Sequence, residues 1–323
     1  MPDHLPAKTA PSQALADPTD LQRQRDFLAA ATADNTRRAY RSAIRHFLGW
    51  GGLLPCDEAL VLRYLLAFAA RLNPRTLSLR LTALSQWHRQ QNFPDPAATH
   101  TVRKTLLGIA RVHGKPKDKA RALAVADMEK ISDALARRGG LRARRDNALL
   151  QLAYFGAYRR SEVVALQVHD VVWLPEGIQL TLPRSKTDQE GQGIAKAIPF
   201  GSGACCPAGA LRAWLDDAGI AAGPLFRAID KLGRPGEAGL HEANVNSILR
   251  DAATAAGLSF AQQLSSHSLR RGMATAAWRA GADLRDIKRQ GGWRHDATVQ
   301  GYIDDASLFD DNAAGKLLRP RQT

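Results

Sequence analysis

Residues 291–304 read GGWRHDATVQGYID. A Trp follows a Gly pair, and nine positions later a Tyr stands in a polar segment, with acidic residues after it. Two readings compete for this pair. Aromatics near a chain end commonly pin a terminal helix to the core. Alternatively, a phenol held in a fixed relation to an indole is an oxygen nucleophile in place. The segment predicts a helix over 295–305, which fixes the phenol on a rigid element but does not choose between the readings. The rest of the chain decides.

The segment upstream, HSLRRGMATAAWRAG (267–281), predicts a helix capped by Ser265 or Ser266, with Leu269, Met273, Ala276 and Ala280 on its apolar face. His267 and Arg270 are three apart, so they project one turn from each other and can donate to one anion. A surface ion-pair face carries the same spacing. Further upstream, YFGAYRRSEVVAL (154–166) places Arg159 between apolar runs. A guanidinium at such a position needs a partner, and Glu162 is three residues on. Held that way, Arg159 could fork onto a phosphate. GIQLTLP (177–183) and GIAKAIPF (193–200) alternate as strands around a turn-rich RSKTDQEGQ, a hairpin whose turn carries Lys186. An ammonium on that turn can protonate a leaving oxygen, and Lys196 on the second strand competes for the task.

Composition narrows the ligand. The 323 residues carry a net charge of +14, which calls for a polyanion, nucleic acid before an anionic membrane. The excess is one-sided: residues 1–121 hold 19 Lys and Arg against 9 Asp and Glu, and residues 122–323 hold 26 against 22. Three cysteines, two of them adjacent, make neither a disulfide framework nor a metal set, as in a reducing cytosolic protein. No GK[ST] loop, HExxH or dinucleotide fingerprint is present.

The length suggests two domains. Residues 1–19, rich in Pro, Ala and polar residues, read as a disordered tail rather than a signal peptide. Residues 20–112 read as helices at 36–50, 57–72, 74–91 and 98–112. The first has Asn35-Thr36 as cap, a buried face of Tyr40, Ile44, Phe47 and Leu48, and a separate stripe of Arg38, Arg41 and Arg45. The third has Asn73 as cap and Pro74 in its first turn, with Arg75 and Arg89 displayed. Residues 113–122, basic with Gly and Pro, read as a linker. Residues 123–323 read as helices at 125–138, 142–157, 207–218, 241–256, 267–280, 283–290 and 295–305 with the hairpin among them. The fold class is mainly α with a small β-sheet, α+β.

Four ordered motifs, AYRRSE (157–162), SKT (185–187), HSLRRG (267–272) and GGWRHDATVQGYI (291–303), resemble the tyrosine recombinases, the phage integrase family with its Cre- and Xer-like members. The match covers roughly residues 20–305. The resemblance implies a helical SAM-like core-binding domain at 20–112 and a catalytic domain at 123–323, forming a C-shaped clamp on DNA, the simple two-domain type. It implies catalytic roles for Arg159, Lys186, His267, Arg270, Trp293 and Tyr302, with Glu162 in support. Trp293 stands where His is commoner. It implies DNA contacts from Arg38, Arg41, Arg75 and Arg89. The implied reaction is site-specific recombination through a 3′-phosphotyrosine at Tyr302, with Lys186 protonating the departing 5′-oxygen. Strands exchange via a Holliday junction in a tetramer on double-stranded DNA with inverted-repeat core sites. The alternatives are a type IB topoisomerase-like relaxation and a catalytically silent DNA-binding regulator. No metal, nucleotide or other cofactor and no membrane is implied, and the location is cytoplasmic, at the nucleoid. After Tyr302, Leu308, Phe309, Leu317 and Leu318 are expected to dock on a neighbouring protomer or on their own domain.

Overall fold

The computed structural model describes residues 18–30, 32–116, 119–182, 193–306 and 313–318. The chain divides into two compact units between residues 117 and 118, each with its own core. The first contains α1 (Pro18–Ala30), α2 (Asp34–Gly49), α3 (Glu58–Phe68), α4 (Pro74–Gln90) and α5 (His100–His113).

Side-chain caps set several of these starts. Asp57 accepts from the Leu60 N–H at 2.8 Å, and Asn73 from the Arg75 N–H at 2.9 Å, with Pro74 pre-set for the first turn. α2 departs from the expected Asn35-Thr36 cap. It begins at Asp34, whose carboxylate sits at the positive end of the helix and pairs with Arg37. Its core face is centred on Ala43 and Phe47, and Leu48, about 100° further round, is 45% exposed. Tyr40 and Ile44 flank that face half-buried rather than lying in it. Phe47 and Tyr64 meet edge to face at 5.1 Å between centroids, against Leu65, Leu77 and Leu84. The buried His88 is satisfied at both nitrogens: Nδ1 donates to the Leu84 carbonyl (2.8 Å), and Nε2 accepts the Cys56 N–H (3.0 Å).

The second unit runs α6 (Val125–Arg138), α7 (Gly140–Phe155), α8 (Arg160–Ala165), β1 (Val171–Leu174), β2 (Gly177–Leu182), β3 (Ile194–Pro199), α9 (Pro207–Ala218), β4 (Arg227–Ile229), β5 (Pro235–Gly239), α10 (Asn244–Ala255), α11 (Ser266–Arg279), α12 (Leu284–Gly291), α13 (Asp296–Ala306) and α14 (Ala313–Leu318). α7 is buried almost all round and packs on α6, α9 and α11. The expected hairpin is there as the antiparallel pair β2–β3, with Leu180 opposite Lys196. β1 adds a third strand, and β4–β5 form a separate ribbon; neither was expected. β3 alternates, so Lys196 and Ile198 face inward while Ala195 and Ala197 face out. α11 is buried from Ser268 to Thr275, more than one apolar stripe, because α7, α12 and α13 all pack on it. Ala280, expected on its apolar face, is exposed.

In α14, Leu317 and Leu318 are 87% and 82% exposed, so these two do not dock on their own domain. Leu308 and Phe309 lie outside the described residues. Among the described residues no helix is long and apolar enough to cross a membrane.

Candidate active site

Two helix ends build the site, and both stop in the same way. α7 ends in a Schellman motif: the Ala157 N–H bonds the Tyr154 carbonyl and the Tyr158 N–H the Ala153 carbonyl, each at 3.0 Å. The left-handed position falls on Ala157, with φ +45°. Glycine is the usual residue there, and a non-glycine in such a conformation stores strain of about 1–2 kcal/mol. The chain reverses and delivers Arg159 at the start of α8. There the Glu162 carboxylate accepts the Arg159 N–H at 2.8 Å.

α12 ends likewise. The Gly292 N–H bonds the Arg289 carbonyl (3.2 Å) and the Trp293 N–H the Lys288 carbonyl (3.1 Å), with Gly292 at φ +64°. This explains the glycine pair. Gly292 supplies the left-handed residue, while Gly291 makes room: a Cβ there would collide with the six-membered ring of Trp293. Gly291→Ala is therefore expected to destabilise the second unit by about 1–3 kcal/mol through overpacking. Denaturant unfolding followed by Trp fluorescence reads this as a lower midpoint with an unchanged slope.

Arg270, from α11, joins the two helix ends. Its side chain is 3% exposed. One NH group donates to the Ala157 carbonyl, and the other donates to the Gly291 carbonyl at 3.0 Å. It lies 4.6 Å over the Trp293 ring. Glu162 sits between the two arginines: one oxygen pairs with Arg159, and the other is 4.0 Å from Arg270. Burial, helped by the nearby Arg159 charge, brings the Arg270 pKa down to about 10, with Glu162 and Tyr302 opposing. It still carries its charge at neutral pH.

Tyr302, half-buried on α13, meets Trp293 edge to face at 5.9 Å and 70°. The Arg271 guanidinium lies 5.2 Å from the ring centroid. Arg159, Glu162, Arg270, Trp293 and Tyr302 thus form one chain of contacts. His267 stands one turn before Arg270 on α11 and is exposed. Lys186 lies outside the described residues. The surface ion-pair alternative for His267 and Arg270 does not hold for Arg270, which is buried and tied to backbone.

Two more residues belong to this neighbourhood, and the sequence does not show the part they take in it. Arg271 is the neighbour of Arg270, turned about 100° toward α13, and the doubled Arg of HSLRRG was the available signal. Lys196, in sequence only a rival proton donor to Lys186, is the other. It is 3% exposed, its Nζ donates to the Gly156 carbonyl at 2.7 Å, and it lies 4.4 Å over the Tyr158 ring. Burial first, then the Arg270 and Arg159 charges, lowers its pKa to about 7, with Glu162 opposing.

In the first unit, Arg38 and Arg41 on α2 and Arg75 and Arg89 on α4 are all exposed. Arg89 pairs with Asp95 at 2.9 Å. Between α2 and α4 lies a groove of about 600 Å³ lined by Arg37, Tyr40, Arg41, Arg45, Gln86 and Trp87 among others.

The phage integrase family matches residues 121–308. The integrase/recombinase XerD homologue of Selenomonas ruminantium is 32% identical over 299 residues, covering 90% of this chain and 87% of its own. Two solved structures share the fold at lower identity. The XerH site-specific recombinase bound to palindromic difH substrate, a post-cleavage complex, has TM-score 0.61 at 18% identity, covering 83% of this chain and 74% of its own. A lambda integrase tetramer bound to a Holliday junction has TM-score 0.59 at 19% identity, covering 88% and 76%. The likeness runs through both units in sequence and in fold, and the chain accordingly belongs to the phage integrase family, as a tyrosine-type site-specific recombinase.

Proposed function

We propose that this chain cleaves and rejoins duplex DNA at a specific site through a 3′-phosphotyrosine at Tyr302, and exchanges strands through a Holliday junction in a tetramer. The observation that carries the reading is the contact chain from Tyr302 through Trp293 to Arg270, Glu162 and Arg159. A phenol stands near two guanidiniums, Arg270 buried and Arg159 half-buried, that share one carboxylate. Arg159, Arg270 and Lys196 bring three positive charges to one anionic partner, Glu162, so the pocket carries a surplus that suits a phosphodiester.

The chemistry follows from that surplus. Tyr302 Oη attacks phosphorus and loses its proton, the bond to the 5′-oxygen breaks, and Lys186 supplies that oxygen with a proton. Arg159, Arg270 and His267 stabilise the charge that grows on the non-bridging oxygens, and Trp293 walls the pocket. The phosphotyrosine keeps the bond energy, so a 5′-hydroxyl from a partner strand can reverse the step. Residues 20–112 hold the duplex, with Arg38, Arg41, Arg75 and Arg89 on phosphates, contacts that position without reading sequence. XerH on its difH substrate and lambda integrase on its junction support this assignment as proteins of the same fold.

The test starts from a randomised duplex library, from which covalent capture recovers a binding site. A nick beside the cleavage position in that duplex then traps the intermediate. The expected result is a protein–DNA adduct that survives denaturant, with peptide mapping placing the DNA on Tyr302. If no bound duplex yields an adduct, the reading fails and a silent regulator takes its place.

A further inference from the structure

A buried ammonium within the field of two guanidiniums is an expensive arrangement, and β3 puts one there. Lys196 occupies an inward position of an alternating strand, where its neighbour Ile198 is apolar. Three consecutive carbonyls at the C-terminal end of α7 are each held by a different element. Gln290 Nε2, from α12, donates to the Phe155 carbonyl at 3.0 Å and to the Ala197 carbonyl at 3.2 Å. Lys196 holds Gly156 at 2.7 Å, and Arg270 holds Ala157. The last carbonyls of a helix lack intrahelical partners and carry its negative end, so cations settle there. That same turn holds the strained Ala157 and delivers Arg159.

We propose that Lys196 is a positioning residue of the phosphate site: its ammonium clamps the Gly156 carbonyl, fixes the turn to which Arg270 is tied, and adds a third positive charge behind the two arginines. The inference rests on the recombinase reading above. Lys196 does not reach the substrate as a proton donor; it acts through the 155–157 turn and through its field.

The charged and titratable groups facing Lys196 are Arg270 from α11, Arg159 and Glu162 at the start of α8, and Tyr158 from the turn. In the free protein the two arginines oppose its charge, so the ammonium is weakly held near neutral pH. A phosphodiester entering the pocket favours the charged form, and DNA binding is therefore linked to proton uptake at Lys196. The sign for stability follows. A lysine whose folded pKa lies near 7 and whose unfolded pKa is about 10.5 weakens the fold most below pH 7, and that penalty fades as pH rises toward 10.5. Keeping a charge there at such a cost points to function rather than packing.

The test compares wild type, Lys196→Arg and Lys196→Met in single-turnover adduct formation on the captured nicked duplex, from pH 6 to about 9. Wild type is expected to slow on an alkaline limb above pH 7. Lys196→Arg keeps its charge, so it should cleave at pH 6 to within about tenfold of wild type and lack that limb. Lys196→Met should bind the duplex normally, cleave about 10–100-fold more slowly at pH 6, and show no limb. Lys196→Arg alone decides the case if the Met variant does not fold. The proposal is overturned if Lys196→Arg shares the wild-type limb, or if Lys196→Met cleaves at the wild-type rate. Both outcomes presuppose an adduct in wild type, so they leave the recombinase reading standing; a wild type without adduct sinks both.

Discussion

Tyr302→Phe is expected to abolish the covalent adduct while leaving duplex binding and folding essentially intact. The substitution removes one oxygen. The ring remains, and with it the edge-to-face contact with Trp293 at 5.9 Å and the Arg271 guanidinium 5.2 Å from its centre. Neither contact uses the hydroxyl, so the packing that seats α13 on α11 and α12 survives. What is lost is the attacking atom, for which the Trp293 side of the pocket offers no substitute: an indole N–H donates and does not attack. Cleavage of the nicked duplex should fall below detection on a denaturing gel, with mobility shift and unfolding midpoint close to wild type. An adduct formed by the Phe variant would place the nucleophile elsewhere and reject Tyr302.

Arg270 is the second large effect, and it separates chemistry from architecture. Arg270→Lys is expected to slow cleavage by about 10²–10³-fold, the usual cost of losing a preorganised donor aimed at developing charge. A single ammonium cannot span the Ala157 and Gly291 carbonyls as the planar fork does. Arg270→Ala should slow cleavage at least as far, and also leave both carbonyls without their partner. Each buried orphan costs about 1–3 kcal/mol, so its unfolding midpoint should drop. Arg159→Ala supplies the contrast. Arg159 has 23% of its side chain exposed and, among the described residues, hydrogen-bonds to Glu162 rather than to the α12 end, so it should lose comparable activity with a smaller loss of stability. Equal destabilisation by Arg159→Ala and Arg270→Ala would argue against Arg270 as the tie between the two helix ends.

Much of this was legible in the sequence because strong local signals coincide with the elements. α4 follows Asn73-Pro74, α9 follows Pro207, and α6 runs from Val125 to Arg138 as the periodicity predicts. β2 and β3 were readable from their alternation. β1, β4 and β5 were not: three to five residues carry too little periodicity, and β5, PGEAG, has no strand-forming residue at all. The strand is imposed by its partner. Leu48 misled because an i, i+8 step falls near the edge of a face, and which edge is buried depends on the neighbouring helix. Arg159, Arg270, Trp293 and Tyr302 could be nominated from their motifs, and Glu162 from its spacing. No local pattern could show that Arg270 reaches two carbonyls 113 and 21 positions away, or that the inward side of β3 would bury Lys196 against the Gly156 carbonyl. Such contacts exist only after the fold has closed.

The double tie of Arg270 bears on how such a chain would decay. A descendant that no longer needs to cut could shed the Tyr302 oxygen and keep its shape, since nothing in the packing depends on that atom. It could not shed Arg270 so freely, because two buried carbonyls at the ends of α7 and α12 would lose their partner and, among the described residues, only the Gln290 bond would still join those ends. Drift should therefore erase the nucleophile early and the arginine late. A paralogue that has kept Arg270 has shown only that it still folds; the Tyr302 hydroxyl is the atom that tells a working copy from a relic.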